Sequence, residues 1–218
     1  LPLSLALAAE GGSDDPPAVQ LGLAAALLGF ALLAMQAVLA GRFHTVDAPF
    51  GLDVVMGFHK SMGILAGLLL VAHPVLIAAG EGHWELFAPG APWPVNVGKA
   101  ALALLVLGIA FALLARRLPL DYQKWRVSHK AMLLVLILGF VHSMIVGDDL
   151  EGPVLRTYWT ALFAAAVLVF LWRNVAVPLW VRRRFRVASV TPAGHDTFTV
   201  RLEPADDHPA PPRDPGQF

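Results

Sequence analysis

Five apolar segments, at about residues 19–39, 52–79, 97–115, 127–146 and 154–172, leave this chain one class of fold. Each is close to the roughly 20 residues an α-helix needs to cross a hydrocarbon core of about 30 Å. Within that core every backbone N–H and C=O must find its partner inside the segment, so such runs are read as spanning helices. Composition agrees. Of 218 residues, 57% are hydrophobic and only 15% are charged, too few polar groups to cover a soluble surface. Sixteen basic and sixteen acidic residues cancel, so no broad basic face suggests nucleic acid, and membrane lipid is the partner implied. The chain has no cysteine, which excludes disulfides, cysteine-ligated iron–sulfur clusters and covalent haem attachment.

Loop charge sets the expected orientation. Loops 10–18, 80–96 and 147–153 contain Glu10, Asp14, Asp15, Glu81, Glu85, Asp148, Asp149 and Glu151, with no Lys or Arg. The alternate loops contain Arg42, then Arg116, Arg117, Lys124 and Arg126, then Arg173 and the run Arg182, Arg183, Arg184 and Arg186. The positive-inside rule places this second set in the cytoplasm. The chain reads as a fragment. Residues 1–9 are apolar but too short to span, and read as the remnant of a truncated first helix or as the end of a signal peptide. The expected fold is an all-α membrane bundle of six spans with the first truncated, lying in a cell membrane. Its membrane domain covers residues 10–180.

Beyond Arg186 the pattern changes to β-branched and aromatic residues near a period of two, at 185–190 and 197–202. Turn residues Thr191, Pro192, Gly194 and Asp196 lie between. This predicts a β-hairpin opening a cytoplasmic domain at 185–218.

Four of the eight histidines fall inside predicted spans: His59 and His73 on one, His129 and His142 on another. Ionisable side chains are costly in hydrocarbon and mark functional sites. Spacings of 14 and 13 residues put about 21 and 20 Å between the members of each helix. One span intervenes, so the two helices cross in the same direction. His59 and His129 are therefore expected at one depth near the inner face, and His73 and His142 at another near the outer face. Two imidazole pairs stacked across a bilayer suit two b haems, each with histidine on both axial positions and no site left open for oxygen. One feature conflicts with an ideal helix: fourteen residues rotate by about −40°, but thirteen rotate by about 220°. The second helix is expected either to carry a local irregularity, for which Gly139 is a candidate place, or to present its ligands from two flanks. The competing reading is a transporter that uses these histidines as proton or metal relays. The two histidine spans carry little acidic content beyond Asp53, which weighs against it.

Lys60 and Lys130 each follow an inner histidine, and either neutralise haem propionates or snorkel to headgroups. Lys99 and Arg156 stand in the same relation to the outer side. Glu81, His83 and Glu85 form a solvated loop that at most holds an incoming cation. Trp125 is expected at the interface as an anchor, while His44, His195 and His208 carry no specific signal.

Gly57-Phe58-His59-Lys60 with Gly63, leading to His73-Pro74, followed by Tyr122, Trp125 and His129-Lys130 leading to His142, resembles the ferric reductase-like transmembrane domain shared by ferric reductases and NADPH oxidases. The hairpin with Pro215-Gly216-Gln217-Phe218 resembles the opening of a ferredoxin reductase-type flavin barrel. The resemblance implies an oxidoreductase in which cytoplasmic NAD(P)H reduces FAD. Electrons then pass through two haems, on His59 with His129 and on His73 with His142, to an acceptor outside. The rest of the flavin and nicotinamide modules would lie beyond Phe218. A haem-only subunit serving a separate periplasmic reductase is the related alternative. Four residues after His73, where oxygen-reducing relatives commonly carry a further histidine, this chain has Ile77, which favours ferric iron or another small acceptor over oxygen. The sequence leaves the oligomeric state open.

Overall fold

The structure, a computed structural model, describes residues 15–115, 117, 121–180, 185–194 and 197–205. The expected remnant of a first span at residues 1–9, His195, His208 and the Pro215–Phe218 motif lie outside the described residues. The chain divides into two compact units, Leu1–Leu171 and Trp172–Phe218.

The first unit holds the membrane helices. Helix α1 (Pro17–Leu39) starts with proline in its first turn, where the missing N–H costs nothing. Short α2 (His44–Phe50) connects it to α3 (Leu52–Glu81), which closes on Gly82 at φ 76°. After a short turn at Trp84–Phe87 come α4 (Trp93–Leu114), α5 (Tyr122–His129), α6 (Met132–Val146) and α7 (Pro153–Leu171). Five stretches have the length and hydropathy of membrane spans, with α5 and α6 forming one of them. Leucines such as Leu21, Leu68, Leu107 and Leu168 are more than 60% exposed on these helices. A bundle bathed in lipid buries its polar backbone and turns such side chains outward.

Without water to drive helices together, packing in a membrane depends on close backbone approach at small residues. The α1–α3 pair is built this way. A Cβ at Gly29 would sit 2.7 Å from Leu70 Cγ, and one at Gly22 would sit 3.2 Å from Leu76 Cβ, so only glycine permits this separation. The two helices run antiparallel, and Gly22 lies toward the end of α3 while Gln36 lies opposite its beginning, at Gly63. A second packing centre joins α1, α6 and α7. Phe30 stacks on Trp159 at 4.7 Å, Phe140 stacks on Phe163 at 4.0 Å, and Trp159, only 1% exposed, donates its indole N–H to Ser143 at 2.9 Å.

The irregularity needed between His129 and His142 is present, but not at Gly139. Helix α6 runs unbroken through Gly139, whose position packs against Phe30. The chain instead tightens at Lys130-Ala131, where four amides bond three residues back: Lys130 to Val127, Ala131 to Ser128, Leu133 to Lys130 and Leu134 to Ala131, at 2.9–3.1 Å. A 3₁₀ turn advances about 120° per residue instead of about 100°. Four or five such residues add about 80–100° to the 220° of thirteen ideal positions, giving about −60 to −40°. The two histidines of this span thereby come to share a face, as the pair on α3 does.

The second unit opens with a π turn (Trp172–Ala176) and short α8 (Val177–Trp180). It continues into antiparallel strands β1 (Phe185–Gly194) and β2 (Thr197–Pro204). The hairpin expected from the alternation forms, with Val190 opposite Val200. Strand β1 extends through Pro192 into the residues expected to turn, because a register shift between Pro192 and Gly194 accommodates the proline.

Candidate functional site

Helices α3 and α6, which carry His73 and His142, each pack against α1 and α4 but not substantially against one another. The two helices are thus joined mainly through α1 and α4. The four intramembrane histidines fall into two pairs between these helices, at two levels.

At the level of the acidic loops, each imidazole is fixed by a backbone carbonyl. The Nδ1 of His73 bonds the Gly22 carbonyl at 3.0 Å, and the Nδ1 of His142 bonds the Pro94 carbonyl at 2.9 Å. A carbonyl only accepts, so Nδ1 carries the proton in both rings and Nε2 keeps its lone pair free. This is how a protein commonly orients a metal-ligating histidine, with the far nitrogen held by a carbonyl. The two rings lie within electrostatic reach of one another. Close approach again depends on glycine. A Cβ at Gly98 would lie 2.8 Å from both Nδ1 and Cε1 of His142. Gly22 and Gly98, which the sequence reading passed over, thus seat the two rings, and their signal was a glycine in a membrane helix facing a histidine span.

At the level of the basic loops, His59 and His129 face each other with ring centres 6.3 Å apart and planes at 70°. Trp125 stacks on His129 at 5.5 Å and 16°. Trp125 was read as an interfacial anchor, but its spacing of four from His129 makes them neighbours on a helix face. The buried Nδ1 of His59 lies near the Gln36 backbone but makes no well-formed hydrogen bond.

A metal–imidazole bond is about 2 Å long, so an ion between two imidazoles holds their nitrogens about 4 Å apart and their ring centres roughly 6 Å apart. The 6.3 Å between the ring centres of His59 and His129 matches that spacing. Among the described residues, no group of three or more His, Cys, Asp or Glu gathers as a metal site. Two protein ligands suffice where a porphyrin supplies the other four.

Of the cations considered, Lys60 and Arg156 are exposed and Lys130 is half-buried, and none makes an ion pair among the described residues. Lys99 is engaged: its Nζ donates to the Ala88 carbonyl at 2.6 Å, tying α4 to the preceding loop. In that loop the Nδ1 of His83 lies 2.6 Å from Glu85, both exposed. The backbone N–H of Glu85, then the His83 ring, holds this carboxyl below the ordinary range.

A family model described as "Ferric reductase like transmembrane component" matches residues 25–140, more than half of the chain. The chain belongs to that family. The match runs from within α1 into α6, takes in His59, His73 and His129, and stops just before His142. Membership makes the protein, in broad class, a membrane oxidoreductase. An uncharacterized protein of Archaeoglobus fulgidus is similar to it, 20% identical over 157 residues that cover 66% of this chain and 84% of that protein.

Proposed function

We propose that this ferric reductase-like chain carries electrons across the membrane on two bis-histidine b haems, from cytoplasmic NAD(P)H and FAD to ferric iron or another small acceptor outside. The observation that supports the reading is the pairing of imidazoles between two helices that share few contacts with one another. His59 with His129 would hold the inner haem, and His73 with His142 the outer one. Bound there, the two haems would supply one-electron redox chemistry with no coordination position open to oxygen.

The protein's own contribution is placement. The Gly22 and Pro94 carbonyls hold protons on the Nδ1 atoms of His73 and His142 and so leave the Nε2 atoms as the ones that would bind iron. Trp125 limits rotation of the His129 ring. Lys60 and Lys130, beside the inner histidines, and Arg156, at the start of α7, supply positive charge suited to porphyrin carboxylates. The acidic loops lie outside and the basic ones in the cytoplasm by the positive-inside rule. Strands β1 and β2 would open the flavin domain. Ile77 following His73 favours an acceptor other than oxygen.

Purified wild-type and variant proteins, expressed with haem supplied, test this reading. His142→Leu should remove one haem and leave the other, so that haem per chain falls by about half, and His59→Leu should remove the complementary one. A relay role for these histidines would leave any spectrum unchanged in both variants.

A further inference from the structure

The 3₁₀ turn between α5 and α6 has no local cause. Lys130, Ala131 and Met132 are good helix formers, and neither glycine nor proline interrupts them. Yet Lys130 (φ −65°, ψ −18°) and Ala131 (φ −61°, ψ −13°) take 3₁₀ rather than α geometry, with the poorer hydrogen bonds of such a turn. A contact from outside the segment must hold it.

That contact is on α4. Gly108 has no side chain, and a Cβ there would overlap Met132 Cε and stand 2.9 Å from its Sδ. Met132, the first residue of α6, thus fills a notch in α4. The same helix meets α6 at a second glycine, since Gly98 lies against the His142 ring. Gly98 and Gly108 stand 10 residues apart on α4, and His142 and Met132 stand 10 apart on antiparallel α6. Two notches at matching intervals fix both the height of α6 on α4 and its rotation. The next residue of α4, Ile109, reaches α3: a Cβ on Gly67 would stand 2.5 Å from Ile109 Cδ1. Residues 108 and 109 therefore key α4 to both histidine helices.

In a 3₁₀ turn residues three apart eclipse one another, whereas in an α-helix they diverge by about 60°. Met132 follows His129 by three. Whatever fixes the direction of Met132 therefore fixes that of His129, whose ring faces His59 with planes at 70°.

We propose that Met132, seated against Gly108, is a positioning residue for His129: it locks the 3₁₀ turn and so sets the angle at which this imidazole faces His59. This rests on the haem ligation proposed above. The mutual angle of two axial imidazole planes governs the ligand field of a low-spin iron, so electron paramagnetic resonance reads it directly.

The test compares the full chain as wild type, Gly108→Val, Met132→Ala and the double variant, each purified with haem. His59→Leu and His142→Leu mark which signal belongs to which haem. Valine in the notch expels Met132, because a branched Cβ cannot yield as a flexible thioether can. The signal of the haem on His59 and His129 should then shift while the other stays fixed. In the double variant Met132→Ala makes room for the valine, a swap that roughly conserves volume, and the wild-type signal should return. If Gly108→Val fails to assemble, Met132→Ala alone decides, with that same signal broadened and the other unaltered. A lowered thermal midpoint with both signals unmoved, or a shift confined to the haem on His73 and His142, would overturn the role of Met132 and leave the ligation standing. No haem in the wild type would overturn both.

Discussion

The two histidine pairs are alike in residue type and nearly alike in spacing, yet the protein holds them by different means. His73 and His142 are each tied to a backbone carbonyl, on Gly22 and Pro94, and His142 also stands against Gly98 of the neighbouring helix. At the other level the Gln36 backbone lies beside the His59 ring without a well-formed hydrogen bond, and His129 is stacked on Trp125. A carbonyl of a packed helix cannot turn away, whereas a stacked indole can. The pair near the acidic loops is therefore fixed by helix backbone, while His129 at the other level is held by a side chain.

This contrast predicts where substitutions act. The largest effect is expected at Gly98. Valine there would overlap the His142 ring, which cannot retreat without losing the Pro94 bond. Overpacking of this kind costs about 1–3 kcal/mol. Gly98→Val should lower the thermal midpoint and specifically deplete the outer haem, as read by haem content and melting of the same preparation. Equal loss of both haems would show that the two sites are not held separately. A smaller effect is expected on the inner side. Trp125→Ala removes a stacked contact worth about 0.5–1.5 kcal/mol, and should change the ligand-field signature of the inner haem in electron paramagnetic resonance while keeping both haems bound. An unchanged spectrum would return Trp125 to a simple anchoring role.

The smallest effect belongs to the exposed loop. The Glu85 carboxyl is held below the ordinary value by its own backbone N–H and by His83. Because its folded pKa is depressed, the contribution is present above the unfolded carboxylate range and is lost as pH falls through the lower folded value. Glu85→Gln should leave the haem spectra unaltered at neutral pH and flatten only the acid limb of the stability profile. A change in either haem would tie this loop to the histidine pairs.

Much of this arrangement was legible in the chain itself. Apolar length gave the five spans to within a few residues, since a bilayer leaves little freedom in helix length. Spacing from a common loop side gave the depth at which each histidine meets its partner. The break in the second histidine span was legible as a need, from the rotation of thirteen residues, but not as a location. Lys130-Ala131-Met132 contains neither glycine nor proline, and a short change from four-residue to three-residue hydrogen bonding leaves no mark in hydrophobic periodicity. Gly139 drew attention because it is a glycine, yet it serves to admit Phe30. The seats at Gly22 and Gly98 stayed hidden for a related reason. Their use depends on which helix lies opposite, and that follows from tertiary packing rather than from local sequence.

The most direct test is the haem content and spin state of the purified wild-type chain, measured together by pyridine haemochrome assay and low-temperature electron paramagnetic resonance. Two haems per chain are expected, both low-spin with two imidazole ligands. A single haem, a high-spin iron with an open position, or no haem after reconstitution would contradict the paired-histidine conduit.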